Sequence, residues 1–308
     1  MIEFDYIEKE ILCTVANIDD LPEGAYNFRI NGKSVGRNST ENIEVASRSD
    51  GRGLKIKIAS GTKGEVVHIP VIVSESGLKE VVYNDFYIGD GAEVLIVAGC
   101  GIFNCGSFDS VHNGVHRFYV GKDAKIKYIE KHYGFGPGRG GKILNPTTRL
   151  FLKEGSFAEL EMEQIKGVDS TARKTFASLG DNSMIKIKER LMTHGRQAAK
   201  SSYLVRLNGF NSVADIESRS VAQDYSCQLF NSRIVGDNYC RGHTACNAII
   251  MDSAQVQATP SLDAKCIDAE LIHEAAIGKI AGEQLIKLMS LGLDAREAES
   301  RIVNGFLK

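Results

Sequence analysis

The chain has no tryptophan, only five prolines, and no apolar run long enough to cross a bilayer. Its longest apolar stretch, Val94 to Phe103, is about ten residues and carries Gly99, Cys100 and Gly101, whereas a spanning helix needs about twenty. It has no surplus of either charge. Across 308 residues, 37 Lys and Arg face 39 Asp and Glu, a net charge of −2. That balance argues against a dedicated nucleic-acid binder, which needs a basic excess to neutralise phosphates. A secretory signal is also missing: Met1-Ile2-Glu3-Phe4-Asp5 is acidic where such a signal is basic and then apolar. Asn38-Ser39-Thr40 therefore has no route to glycosylation, and a soluble, cytoplasmic protein without membrane contact is expected. Seven cysteines, an odd number, disfavour a complete disulfide framework. Reduced thiols serve as buried hydrophobes, nucleophiles or metal ligands. Cys13, among Ile7, Ile11 and Val15, reads as a core residue, and four of the others fall within 227–266.

What the chain does have is period-two alternation. Ile7, Ile11, Leu12 and Val15 predict one short amphipathic helix. Beyond Leu21-Pro22-Glu23-Gly24, short runs alternate apolar and polar residues, as in Leu54–Ile58, Glu93–Val97, Ala124–Ile129, Ala158–Met162, Met184–Lys188 and Val213–Ile216. Such runs between Gly, Asp, Asn and Ser are strands. Asp90-Gly91-Ala92, Lys122-Asp123-Ala124, Gly155-Ser156-Phe157-Ala158, Asp181-Asn182-Ser183 and Asn211-Ser212-Val213 each place a turn before a run, recurring roughly every 26 to 34 residues. Strand-plus-turn recurrence predicts a stacked solenoid, whose coils bury their apolar faces against neighbours. A β-sandwich is the rival. No helical pattern intervenes between the strands, which disfavours a doubly wound α/β sheet. Near the end, Ile277, Ile280, Leu285, Leu288 and Met289 predict one amphipathic helix. Asp294 with Glu297 predicts the capped start of a second, with Ala298, Ile302, Val303 and Phe306 on its apolar stripe. These helices either cap the solenoid or offer an apolar groove to a partner.

Two motifs fail on inspection. Gly136-Pro137-Gly138-Arg139-Gly140-Gly141-Lys142 begins like a phosphate loop, but Ile143 stands where a Ser or Thr must hold Mg²⁺, and Pro146 and a strand follow instead of a helix. His273-Glu274-Ala275-Ala276-Ile277 begins like a zinc-protease motif and lacks its second His. Cys240-Arg241-Gly242-His243-Thr244-Ala245-Cys246 is different, since thiolate and imidazole suit zinc, copper or iron–sulfur ligation. If the run is extended, Cys240 and Cys246 share one face and His243 takes the other, as His273 and Glu274 also oppose one another. Cys266 is placed to stack on Cys246 from an adjacent coil. Read from the residues alone, a metal or cluster site, buried structural cysteines and a Cys–His nucleophile all stand. Cys100 and Cys105 lack a four-ligand spacing and read as packing residues.

Arg241 through Ile250, Ala269 through Ile280, Gln284-Leu285, Leu291-Gly292-Leu293 and Ile302 through Phe306 resemble the SufB/SufD scaffold proteins of the SUF iron–sulfur cluster assembly system. A weaker likeness runs from Phe118–Ala124 back to about residue 60, so about four-fifths of the chain is covered. It looks like the compact, archaeal-type scaffold of a minimal SUF-like system, and is expected to lack the extended N-terminal region of longer members. The resemblance implies a mainly β fold, a right-handed parallel β-helix with a short N-terminal segment and C-terminal α-helices. The boundaries are then 1–60 for the N-terminal segment, 61–276 for the β-helix and 277–308 for the helical region. It implies a non-enzymatic scaffold that builds a transiently bound iron–sulfur cluster, of the 4Fe–4S type, and passes it to apo iron–sulfur proteins. ATP hydrolysis would belong to a SufC-type ABC ATPase docked at the C-terminal helices through Leu285, Leu288, Met289, Ile302 and Phe306. The family's cluster-assembly Cys falls on Cys246, its acidic neighbour on Glu274, and its cross-subunit His on His273. Cys240 and Cys266 are candidate further ligands. A homodimer would place Cys246 of one protomer beside His273 of the other. The family's sulfur-entry Cys falls on Cys100, where Gly101-Ile102-Phe103 replaces the family's Ser-Ala-Pro. The competing readings are a cluster-free SufD-like structural subunit and a β-helix hydrolase or acyltransferase with paired carboxylates.

Overall fold

The computed structural model describes residues 4–18 and 21–308. Helix α1 (Tyr6–Ala16) opens on Asp5, whose side chain accepts from the Glu8 amide while Glu8 reaches back to the Asp5 amide. This reciprocal cap fixes where the helix begins. Strands β1 (Ala25–Ile30) and β2 (Lys33–Asn38) pair antiparallel, as do β3 (Ile43–Ser47) and β4 (Gly53–Ile58). Then come β5 (Lys63–His68) and β6 (Val71–Val73).

From there the chain winds between two parallel sheets. One receives β8 (Glu93–Phe103), β10 (Lys125–Phe135), β13 (Phe157–Lys166), β15 (Met184–Thr193), β17 (Ser212–Ala222), β19 (Cys240–Ile250) and β21 (Ala269–Gly278). The other receives β7 (Lys79–Ile88), β9 (Ser110–Val120), the broken pair β11 (Lys142–Leu144) and β12 (Thr147–Leu152), then β14 (Ser170–Leu179), β16 (Ala198–Leu207), β18 (Cys227–Gly236) and β20 (Gln255–Ala264). This is a parallel β-helix of about eight turns, the architecture expected from the recurrence. Early coils advance 32 residues, as the Asp90 side chain accepting from the Lys122 amide shows. Later coils advance 28 or 29, as in Asp215–His243 and Gly195–Asp224.

The turns explain the recurrence physically. Gly91, Asp123, Gly155, Asn182 and Asn211 sit at matching corners with φ between 52° and 68°, the left-handed region that Gly, Asn and Asp tolerate best. The amide of each donates to a carbonyl of the next coil: Gly91 to Lys122, Asp123 to Glu154, Gly155 to Asp181, Asn182 to Phe210 and Asn211 to Tyr239. Every corner thus satisfies its own backbone and stacks the next one. Inside, Ile96, Ile126, Tyr128, Leu160, Ile187 and Ile216 form part of one continuous apolar core. Outside, Tyr87, Tyr119 and Phe151 stack in register at 5.0 and 5.4 Å between ring centres.

Helix α1 lies on the outer face of β8, with Ile11, Leu12 and Val15 buried. Gly99 and Gly101 make this approach possible: a Cβ on Gly99 would stand 2.5 Å from Val15, and one on Gly101 2.2 Å from Ile11. Cys13 is exposed rather than in the core. Two residues from Ile11 and from Val15, it lies on the far side of a helix with 3.6 residues per turn.

The C-terminal elements also depart from expectation. β21 pairs through Gly278, so Ile277 belongs to a strand, and helix α2 (Gly282–Met289) starts later. Helix α3 (Ala295–Phe306) has the predicted reciprocal cap between Asp294 and Glu297. Val303, Phe306 and Leu307 pack on Val221, Met192 and Ile249, on the outer face of β15, β17 and β19. The helices therefore flank the solenoid instead of closing its end. There, β20 and β21 are the edge strands, with Leu262, Ile272 and Ile277 exposed.

Candidate functional site

Strand β19 carries the cysteine–histidine run, and its pleat sorts the residues onto two faces. Cys240, Gly242, Thr244 and Cys246 point into the β-helix, while Arg241 and His243 point out. Cys246 is 1% exposed. Burial, with the Glu189 carboxylate adding to it, pushes its thiol up to about 11. In the next coil β21 pairs Thr244 with His273, Ala245 with Glu274 and Cys246 with Ala275. His273 therefore shares the inward face with Cys246 as its diagonal neighbour. Its Nδ1 lies 3.2 Å from the Thr244 carbonyl, which can only accept, so Nδ1 carries a proton and donates it. Glu274 is on the other face, where it meets His243: His243 Nε2 is 3.6 Å from Glu274 Oε2, and His243 Nδ1 is 2.9 Å from Asp215 Oδ1.

The structure thus sets Cys246 and His273 on the inward face, and brings Glu274 to His243 on the outer one. Cys240 joins neither pair. Six residues upstream of Cys246 on an extended strand, it is roughly 20 Å away. Cys266 does not stack on Cys246 either. It lies in the turn before β21, above the turn after Gly236, since the Lys265 amide donates to the Gly236 carbonyl. There it is a neighbour of Cys240, whose thiol is raised by burial and further by Cys266. Among the described residues no group of three or more His, Cys, Asp and Glu side chains is arranged to hold a metal within this one chain.

Cys100 is buried on the inward face of β8. Beside it, His112 is fully enclosed and lies 2.9 Å from Glu80, which Arg29 also contacts at 2.8 Å. Burial works to lower the His112 pKa, but the Cys100 sulfur and the Glu80 carboxylate outweigh it and raise it to about 10. Cys100 therefore faces an imidazolium. Lys142, from the loop that resembled a phosphate site, is almost buried and bonded to Asp169 at 2.8 Å.

Between Cys100 and Cys246 the interior is polar along one side, a feature that the pattern of cysteines and histidines alone did not reveal. The inward ladder of paired residues runs Glu130, Met162, Glu189, Ser218, Cys246. Arg173 bonds Glu130 and comes within 3.8 Å of Glu189, while His132 stands 3.6 Å from Glu130 and 3.3 Å from Gln164. Glu189 in turn accepts from Tyr203 at 2.8 Å, from Ser218 at 2.7 Å and from Ser201. Burial would raise the Glu130 pKa, but Arg173 and His132 overcome it and hold the carboxyl well below the usual carboxylate range. Burial also lowers His116, to about 4, so that imidazole is neutral. The signal was present in the sequence: Glu130 and His132 fall in phase with the core residues Ile126 and Tyr128, as Arg173 does with Thr175 and Ala177. A charge at an inward position of a strand is costly unless paired.

A family model described as the SufBD core domain of SUF system FeS cluster assembly matches residues 79–306. An iron-sulfur cluster assembly SufBD family protein of Methanocaldococcus jannaschii is 28% identical over 257 residues, covering 82% of this chain and 80% of its own. Family proteins of Archaeoglobus fulgidus and Pyrococcus horikoshii are each 27% identical, over 90% and 89% of this chain and 73% and 84% of their own. With three-quarters of its length inside the core-domain match, the chain belongs to the SufBD family of iron–sulfur cluster assembly proteins.

Proposed function

We propose that the chain is a scaffold on which an iron–sulfur cluster of the 4Fe–4S type is built and then handed to apo-proteins in the cytoplasm. The observation that carries this reading is the placing of Cys246 and His273 on the same inward face of neighbouring strands β19 and β21, beside the uncovered edge of the sheet. A thiolate holds iron firmly, and an imidazole exchanges more readily, which suits a cluster that must leave. One Cys and one His are too few for a cluster, so further ligands come from a second copy of the chain. The free edges of β20 and β21, with Leu262, Ile272 and Ile277 exposed, are the surface for that homodimer. An unpaired edge invites a partner strand. Cys100, facing the His112 imidazolium, is the candidate for sulfur entry.

Lys142 of the Gly-rich loop is committed to Asp169, and a SufC-type ABC ATPase is the proposed source of ATP hydrolysis. Met289 on α2, with Ile286 and Leu291, stays exposed and offers the docking surface, whereas Phe306 is committed to the packing of α3. Anaerobic reconstitution with iron, sulfide and that ATPase tests the scaffold. Wild type should show cluster absorption and a Mössbauer signal that Cys246→Ser loses and His273→Ala weakens. A cluster retained in full by Cys246→Ser overturns the reading.

A further inference from the structure

We propose that His243 and Glu274 form a landing site for ferrous iron on the outer face of the β-helix, with Asp215 as the positioning residue. The proposal rests on the scaffold reading above and deepens it by naming where iron first binds. Asp215, His243 and Glu274 come from three successive strands of one sheet, β17, β19 and β21. Asp215 can only accept, so at 2.9 Å the His243 Nδ1 must carry the proton and donate it. That fixes the ring and directs Nε2 toward Glu274. At 3.6 Å this second pair is too far apart for a hydrogen bond.

The gap has the size of a shared metal. With bonds of about 2.1 Å to nitrogen and oxygen, as zinc makes, two donors stand roughly 3.0 to 3.4 Å apart between octahedral and tetrahedral angles, so an ion would draw the exposed Glu274 in by only a few tenths of an ångström. The carboxylate–histidine–metal arrangement is also the usual way a protein orients a ligating imidazole. Two protein donors leave the remaining positions to water, and an open, weakly held ion is what delivery to a cluster requires. Glu274 is 71% exposed at the edge of the sheet and His243 38%, so an ion arrives directly from solvent. From there to the inward face of Cys246 and His273, the path goes around a single edge strand.

The test is metal binding by the intact chain without sulfide or ATPase. Fe(II) is followed by anaerobic equilibrium dialysis, and Co(II) by absorption, in which thiolate ligation adds an ultraviolet charge-transfer band. Wild type should bind one ion per chain without that band. His243→Ala, His243→Gln and Glu274→Gln should each weaken binding at least about tenfold, and Asp215→Asn by about 10- to 100-fold. Cys246→Ser should bind as wild type does, and thermal melts confirm that each variant is folded. Binding unchanged in both His243 variants, binding lost in Cys246→Ser, a thiolate band in wild type, or no binding at all would each overturn the proposal. The two readings fail separately. A chain that binds iron through His243 but never forms a cluster refutes the scaffold alone, and cluster assembly indifferent to His243 refutes the landing site alone.

Discussion

The Cys246 thiol should react slowly in the isolated folded chain. Burial and the Glu189 carboxylate move it from an ordinary 9.0 to about 11. Two units mean about a hundredfold less thiolate at any pH below the ordinary value. Burial is the larger of the two causes, so Glu189 accounts for less than about tenfold of that hundredfold. Anaerobic alkylation with iodoacetamide, read residue by residue by mass spectrometry, separates the contributions. Cys105 and Cys227, both exposed, provide the internal reference. Cys246 should label at least a hundredfold more slowly than they do at neutral pH, and its rate should still be rising with pH above 9. Glu189→Gln keeps an acceptor for Tyr203 and Ser218 but removes the charge, and should recover a factor below ten. Labelling of Cys246 at the rate of Cys227 in the folded chain would refute the reasoning, because no buried, raised thiol behaves that way. A Glu189→Gln gain well above tenfold would refute the ranking of burial over charge.

The same thiol makes the fold sensitive to alkali. A group whose folded pKa exceeds its unfolded one holds its proton more tightly when folded. Its contribution is complete below the unfolded value and is lost as pH rises through the folded one, here between about 9 and 11. Urea melts should show up to about 2.7 kcal/mol disappearing over that window in wild type and not in Cys246→Ala. Glu130→Ala leaves the Arg173 guanidinium buried without its main partner and should cost about 3–5 kcal/mol by chemical denaturation, while Glu130→Leu with Arg173→Met should recover much of it. Gly99→Ala places a Cβ 2.5 Å from Val15 and should cost about 1–3 kcal/mol, seen as faster proteolysis around α1.

Much of the fold was legible because the coil repeats its own physics. Asp90-Gly91, Lys122-Asp123 and Asp181-Asn182 announce corners that need a left-handed residue, and the alternation that follows each of them faces the core. The faces of Cys240, His243 and Cys246 followed from the period of two alone. Cys13 was misread locally, by its phase on the helix, and the other misreadings come from long-range contact and coil length. Nothing local says that α3 will lie along β17, since the apolar partner of Val303 is Val221, far away in the chain. Ile277 looks helical by spacing, yet the open edge of β19 recruits it as a strand. Cys266 lies twenty residues beyond Cys246, but a coil advances 28 or 29, and that mismatch alone placed it beside the wrong cysteine.

The coil length bears on the chemistry as well as on the register. Since side chains alternate along a strand, adjacent residues such as His273 and Glu274 cannot serve one site from the middle of a sheet. They can do so only at an edge, where both faces lie within one strand's width of the same solvent. β21 is such an edge, and β19 one coil earlier presents Cys246 to one face and His243 to the other. An inward donor set of thiol and imidazole and an outward set of imidazole and carboxylate are therefore held a strand apart by pleat geometry. Moving either His273 or Glu274 by one residue would exchange their faces and join the wrong donors. Inserting one residue after Cys266, which shifts β21 against β19, should accordingly abolish both iron binding at His243 and cluster formation at Cys246. Inserting two restores the faces, and only the stagger with β19 is then lost.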